Sequence, residues 1–265
     1  MSFSSRGAHL NLIESSRRLF GLDPGAEVEA GSGWLFGAGR STHPVISNVA
    51  FRADDGLDPD RFLERARSFF GARGRGFAVW ARGGEAGDDD LVGACEANGL
   101  QMVYAMPEMV LAAKAEERPA PEGMTLRRVA SCEDAADYWR VAAEAYASVG
   151  FPPEVFGFYD DHEGLRAEGV AAFLARVDGR PCGIAMTILS HGVAGIYWVG
   201  STAEVRGRGL GWAVTAAAVN AGFEMGAEIA SLQASPMGER LYRRMGFETI
   251  YDYLLYLCPK PGGDG

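Results

Sequence analysis

Arg206-Gly207-Arg208-Gly209-Leu210-Gly211 follows the apolar run Ile196-Tyr197-Trp198-Val199 and opens a segment that reads as a helix from Trp212 to about Met225. Strand, glycine-rich turn and helix, in that order, aim backbone N–H groups at an anion. Glycines let the backbone come close to phosphate oxygens, and a free helix N-terminus adds partial positive charge. The stretch reads as the cradle of a phosphorylated ligand, with an ordinary tight turn as the plainer alternative.

The residues around the cradle narrow the ligand. A P-loop ends in Gly-Lys-Ser/Thr, and Gly211-Trp212-Ala213 supplies neither the lysine nor the hydroxyl. A dinucleotide fingerprint needs its third glycine where Trp212 or Val214 stands. The pattern Arg/Gln-x-x-Gly-x-Gly/Ala is met by Arg206, Gly209 and Gly211. Downstream lies Leu241-Tyr242-Arg243-Arg244-Met245-Gly246-Phe247, then the strand-like Ile250-Tyr251 and Tyr253 to Leu257. In this order the two motifs resemble the GNAT superfamily of acyl-CoA-dependent N-acyltransferases. In that family the loop holds the coenzyme A pyrophosphate, and a short tyrosine-bearing helix, Gly-Phe and a hairpin follow. The resemblance spans roughly Met124 to Cys258, about half the chain.

Composition sets the outer bounds. A chain of 265 residues suits two domains of roughly 130 residues each, and 48% apolar residues can fill their cores. A net charge of −10 lacks the basic stripe of a nucleic-acid surface. Cys95, Cys132, Cys182 and Cys258 form no CxxC, and His9, His43, His162 and His191 form no HxxxH, so no metal site is expected. Met1 to His9 has no apolar signal core, and no apolar run is long enough to span a bilayer. A cytoplasmic protein with reduced thiols and no membrane partner is the expectation.

The charged, proline-rich Lys114 to Gly123 reads as a linker. Beyond it come a strand over Met124 to Val129 and a helix capped by Ser131 that runs to about Ser148. Strands follow at Ala171 to Val177, Cys182 to Leu189 and Val193 to Val199, then the loop and its helix, the strand Ile229 to Gln233, the Tyr242 helix and a last pair of strands. The first half echoes this faintly: a helix from about Asp60 to Phe70 behind Asp58-Pro59, a strand Phe77 to Ala81, a helix Asp88 to Asn98 and a strand Gln101 to Tyr104. Gly31-Ser32-Gly33 reads as a hairpin, and Arg73-Gly74-Arg75-Gly76 precedes a strand rather than a helix. Setting Gly99-Leu100 on Gly246-Phe247 aligns the elements in order and puts Cys95 where Tyr242 stands. The expected fold class is α/β with mixed α+β sheets, as two GNAT-like domains in tandem. Residues 1–113 would be a degenerate copy that lost its coenzyme site, 114–123 the linker and 124–265 the catalytic domain.

The resemblance implies an N-acetyltransferase that moves an acetyl group from acetyl-CoA to a primary amine by direct attack. The amides of Gly207, Arg208, Gly209, Leu210 and Gly211 would hold the diphosphate. The side chains of Arg206 and Arg208 would add charge, with Arg208 equally readable as a solvated surface arginine. Family spacing puts the backbone donor for the thioester carbonyl at Ser201, with Thr202 and Ala203 beside it in the coenzyme site. Tyr242 corresponds to the family's proton donor to the leaving thiolate, against the plainer reading of a packed aromatic. Ser235 stands where relatives often carry an asparagine for the pantetheine arm. The strand position where many relatives place a glutamate base is Gly195. Asp160, His162 and Glu163 are the remaining base candidates, and Phe151, Phe156, Phe158, Tyr159, Tyr197 and Trp198 suggest an aromatic acceptor region. The acceptor is a small-molecule or peptide amine, and a homodimer is one role left open for the N-terminal half. A non-catalytic acyl-CoA-binding regulatory module is the competing reading, and an interaction role for the N-terminal half the third.

Overall fold

A computed structural model describes residues 3–84, 87–152, 155 and 163–260. The chain forms two compact units, Met1–Glu108 with Thr249–Gly265, and Met109–Glu248. This partition differs from the sequence reading at both ends. Residues 109–113 fall in the second unit, and the final strand, which the sequence assigned to the C-terminal half, falls in the first.

The first unit begins with a helix absent from the sequence reading, α1 (Phe3–Gly21). Its strands are β1 (Glu27–Gly31), β2 (Trp34–Ala38), β3 (Asn48–Arg52), β4 (Phe77–Arg82), β5 (Gln101–Leu111) and β11 (Glu248–Cys258). They lie in the order β1-β2-β3-β4-β11-β5. β1, β2 and β3 pair antiparallel, β3 and β4 parallel, and β11 runs antiparallel to β4. The expected pair of strands after Gly246-Phe247 is one continuous strand, because Tyr251 and Tyr253 are both buried and nothing breaks the run. Helix α2 (Pro59–Gly71) is the crossover between β3 and β4. Its start is written in the chain: Asp58 accepts from the Arg61 N–H at 2.9 Å and Pro59 fills the first turn. Phe62, Leu63, Ala66, Phe69 and Phe70 form its buried face. Helix α3 (Asp89–Ala97) stops at Gly99, whose φ of 73° suits only glycine well.

Beneath α1 this unit buries a charged network. Arg52 and Arg82 are almost fully buried and share Asp88, at 2.8 Å each, with Asp90 and Asp55 adding further carboxylates. Asp88 also accepts the Arg82 backbone N–H. His9 Nε2 lies 2.8 Å from the Arg52 carbonyl, which only accepts, so this nitrogen carries the proton. His9 Nδ1 therefore accepts from the Tyr253 hydroxyl at 2.8 Å, and Tyr251 donates in turn to Tyr253. Burial, with the charge of Arg82 added, lowers the His9 pKa to about 4, so the ring is neutral.

The second unit holds β6 (Met124–Arg128), α4 (Cys132–Ala147), β7 (Val170–Val177), β8 (Arg180–Ser190), β9 (Val193–Ser201), α5 (Leu210–Glu224), β10 (Ile229–Gln233) and α6 (Pro236–Arg244). β6 to β9 pair in antiparallel succession, and β10 lies parallel to β9 with α5 as the crossover. Ser131 caps α4 by accepting from the Asp134 N–H at 3.0 Å. Helix α5 is apolar on nearly every side, and its alanines seat it directly on the sheet. At Gly222 a β-carbon would collide with Ala194 of β9, so only glycine permits this approach. The proline-rich stretch read as a linker is fastened to α5 at residues 115, 116 and 118. Asn220 accepts the Ala115 N–H at 2.8 Å and donates to the Ala115 carbonyl at 3.2 Å. Trp212 donates to the Glu116 carbonyl at 2.8 Å, and Arg118 stacks on the Trp212 ring. No helix among the described residues is long and apolar enough to cross a membrane.

Asp88→Ala should destabilise the protein by about 3–5 kcal/mol in urea unfolding, because it strands two buried guanidinium groups. The Asp88 carboxyl is lowered to about 2: burial opposes ionisation, but hydrogen bonds and charge from Arg82 and Arg52 outweigh it. Its contribution is thus complete above the usual carboxylate pKa of about 4 and is lost as pH falls from there through about 2. A pH titration of the unfolding free energy should show that loss, and Asp88→Asn should flatten it.

Candidate functional site

Strand β9 leaves β10 and bulges against β8 before it reaches the glycine loop. Its parallel pairing with β10 covers only Val193–Gly195 against Ile229–Ser231. On the other side its register with β8 shifts between Ile184 and Met186, so two residues of β9 bulge opposite Ala185. Trp198 occupies the bulge with a φ of 51°, an uncommon conformation for a residue with a large side chain. Beyond the bulge, Thr202 N–H donates to the Cys182 carbonyl at 2.9 Å. Backbone alternation then turns the Ser201 N–H the other way, toward the side on which β10 has departed.

The loop that follows is built to face an anion. Ala203 to Val205 make one 3-10 turn, then Gly207 and Gly209 take φ values of 76° and 89°. Left-handed residues of this kind turn neighbouring N–H groups to a common side as a nest. Gly207 has open space where a β-carbon would be, and α5 starts at Leu210 with no side-chain cap, leaving its first N–H groups available. At Gly211 the Leu241 side chain of α6 lies 3.1 Å from the point that a β-carbon of residue 211 would occupy.

Helix α6 carries Tyr242, which is 7% exposed and packs 5.8 Å from Phe247, centroid to centroid. Burial pushes its phenol above the usual value, so the hydroxyl keeps its proton across the physiological range. Tyr146, on the last turn of α4, lies within electrostatic reach of Tyr242 and is itself raised, chiefly by burial. Tyr146 also donates to the Val199 carbonyl at 3.4 Å and meets Trp198 edge to face. The C-terminal turn of α4 thus braces the bulge. Sequence reading missed this role, although the aromatic spacing of Tyr138, Trp139 and Tyr146 on one helix was the available signal.

Several expected residues occupy other roles or surroundings. The Arg206 side chain is not turned toward the loop amides: it donates to Ser148 Oγ, and at 3.3 and 3.4 Å to the carbonyls of Ala145 and Ser201. It ties the end of α4 to the end of β9. Ser235 Oγ accepts from the Gly238 N–H at 3.2 Å and so caps α6. Arg208 is exposed on the loop, Thr202 is buried and Ala203 exposed. Tyr197 is half-buried opposite Met186. Gly195 lies in the buried part of β9 at the last register with Ser231, so no side-chain carboxylate enters from that position. Phe156, Phe158, Tyr159, Asp160, Asp161 and His162 lie outside the described residues, and Glu163 is exposed. Among the described residues no group of His, Cys, Asp and Glu could hold a metal ion.

The parted strands, the glycine loop at a helix start and the tyrosine helix can be set beside known folds. Residues 112–237 match the model of the acetyltransferase (GNAT) domain. It is 28% identical over 226 residues to the mycothiol acetyltransferase of Clavibacter michiganensis subsp. michiganensis, covering 78% of this chain and 71% of the relative. Among solved structures it resembles a GCN5-related N-acetyltransferase from Kribbella flavida, with 24% identity, TM-score 0.72 and coverage of 97% and 96% of the two chains. A tandem GNAT protein from the clavulanic acid biosynthesis pathway matches with 13% identity, TM-score 0.63 and coverage of 95% and 96%. The fold is shared with both, and the domain match supports acyl transfer as the class of activity.

Arg206→Lys keeps the charge but loses the forked donor. It should lower the melting temperature nearly as much as Arg206→Ala, by about 2–4 °C, equivalent to about 1 kcal/mol. Scanning calorimetry of the two variants is the check.

Proposed function

We propose that the second unit transfers an acetyl group from acetyl-CoA to a primary amine, the amine attacking the thioester directly. One observation carries this reading. The parted edge of β9, the amide nest at the start of α5 and the Tyr242 helix belong to one small unit, and α6 meets the start of α5 where Leu241 lies beside Gly211. Bound coenzyme supplies the acetyl group as an activated thioester. The chain's own residues supply the rest.

The amides from Gly207 to Gly211 hold the diphosphate. The Ser201 N–H meets the negative charge that develops on the carbonyl oxygen, a fixed donor of a kind that lowers a barrier by roughly 3 kcal/mol. Tyr242 faces the departing sulfur. An ordinary phenol has a pKa near 10 and a thiol near 8.5, and burial raises Tyr242 further. Full proton transfer from this phenol to the thiolate is therefore uphill, and Tyr242 acts by donating a hydrogen bond to the sulfur. No carboxylate comes from Gly195, so water or one of the expected candidates Asp160, His162 and Glu163 takes the amine proton in this reading.

The first unit fits a degenerate copy of the second. It has a parallel crossover between β3 and β4, as the second has between β9 and β10, but no glycine loop joins that strand to that helix. Cys95, aligned with Tyr242 by sequence, is fully buried, and burial lifts its thiol to about 12, which makes it inert. The second reading, an acyl-CoA-binding module without turnover, draws on the same Gly195.

A thiol-release assay with acetyl-CoA and a panel of amines separates the two readings. Given the name of the Clavibacter relative, mycothiol lacking its acetyl group belongs in that panel. With an accepted amine, Tyr242→Phe should lower kcat more than tenfold while the calorimetric Kd for acetyl-CoA stays within a factor of two. Unchanged turnover would remove Tyr242 from the chemistry.

A further inference from the structure

The C-terminal turn of α4 meets β9 beyond the end of its ladder with β10, which among the described residues stops at Gly195. At Gly200 a β-carbon would lie 3.0 Å from the Ala145 β-carbon and 3.5 Å from the Tyr146 ring, so glycine lets the helix lie this close. The Tyr146 hydroxyl donates to the Val199 carbonyl at 3.4 Å, and its ring meets Trp198 edge to face. The bond is long, as hydrogen bonds of catalytic groups often are before substrate arrives.

The register says which edge of β9 carries this carbonyl. Thr202 N–H is bonded to the Cys182 carbonyl of β8, and Gly200 is paired with Ile184. Residues 200 and 202 thus turn their backbone groups toward β8, and residues 199 and 201 turn theirs the other way. The Val199 carbonyl and the Ser201 N–H are neighbours on the edge that has left β10. The Tyr146 hydroxyl therefore stands beside the donor assigned to the thioester oxygen, with Tyr242 within electrostatic reach. This position separates Tyr146 from Tyr138, fully buried earlier on the same helix, and from Tyr197, which lies opposite Met186.

A phenol that gives its proton to a carbonyl has only oxygen lone pairs left to offer, so toward a third group it accepts. Burial raises the Tyr146 pKa, which keeps the phenol neutral and too weak a base to remove a proton. It suits an N–H instead. A neutral primary amine has a lone pair and two N–H groups. With one N–H held, the lone pair is aimed at the thioester carbon while the other N–H is left to give up its proton. A secondary amine has one N–H and cannot meet both needs.

We propose that Tyr146 is a catalytic residue that holds the attacking amine through one N–H and so selects primary over secondary amines. The assignment rests on the acyl-transfer reading of this site and gives its preference for a primary amine a physical cause.

Thiol release from acetyl-CoA tests it, with phenethylamine, glucosamine and mycothiol lacking its acetyl group, each beside its N-methyl derivative. The unaltered protein should favour an accepted primary amine over its N-methyl derivative by about tenfold or more in kcat/KM. Tyr146→Phe should lower kcat/KM for the primary amine by about tenfold or more and bring the ratio within about threefold. A hydroxyl that only braced β9 would slow both amines alike and leave their ratio where it was. The variant keeps the ring, and a calorimetric Kd for acetyl-CoA within about twofold of the unaltered protein certifies that the site is intact. A ratio that survives Tyr146→Phe, or equal use of both amines by the unaltered protein, would overturn the role and leave acyl transfer standing. Release of no thiol with any of these amines would overturn both.

Discussion

The candidate site depends on one interruption of the sheet. Among the described residues the ladder between β9 and β10 ends at Gly195, and β9 bulges against β8 near Trp198. A strand edge that leaves its ladder while half-buried can offer backbone donors, each electrostatically stronger there than in water. The glycine loop and α5 continue from that edge, and Leu241 of α6 lies beside Gly211 at the start of α5. A straight, fully paired β9 would satisfy its amides internally and have nothing to offer a carbonyl or a phosphate.

An interruption of this kind needs support, and the second unit supplies it from α4. Tyr146 bonds to the Val199 carbonyl and packs on Trp198, while Arg206 reaches back to Ser148, Ala145 and Ser201. These contacts offset the strain of a tryptophan at positive φ, which amounts to roughly 1–3 kcal/mol. On the far side, Asn220 and Trp212 hold residues 115 and 116 against α5, and Pro121 lies 3.7 Å from where a β-carbon of Gly209 would be. The segment before β6 is thereby part of the support of the loop rather than a spacer. The first unit applies a different device, a buried group of two arginines and their carboxylates, which fixes β3, β4 and the start of α3 through charge-assisted hydrogen bonds.

Local signals were legible in the chain because they act over a few residues. Asp58-Pro59, Ser131 and Gly99 mark helix ends at positions the structure keeps. The alternation and turns of Val170 to Val199 mark three strands to within one or two residues. Helix α1 was missed because its buried face includes His9, Asn11 and Ser15 among small apolar residues, so no amphipathic stripe shows. Those polar residues are tolerated there through partners such as Tyr253, far away in sequence. β11 was read as two strands of the second half because Asp252 interrupts the apolar run, whereas Asp252 is exposed on a strand that pairs with β4.

By itself the sequence determined the order of elements from Met124 to Arg244, with the glycine loop and the tyrosine helix among them, since backbone conformation at glycines and apolar periodicity are short-range properties. It also marked the missing carboxylate at Gly195. Tertiary structure alone decided where β9 parts from β10, that Arg206 braces α4, that Ser235 caps α6 and that the last strand joins the first unit. Each of those turns on which groups become partners across many residues of chain. Partner choice is settled by packing and burial of the whole unit, which no window of sequence contains.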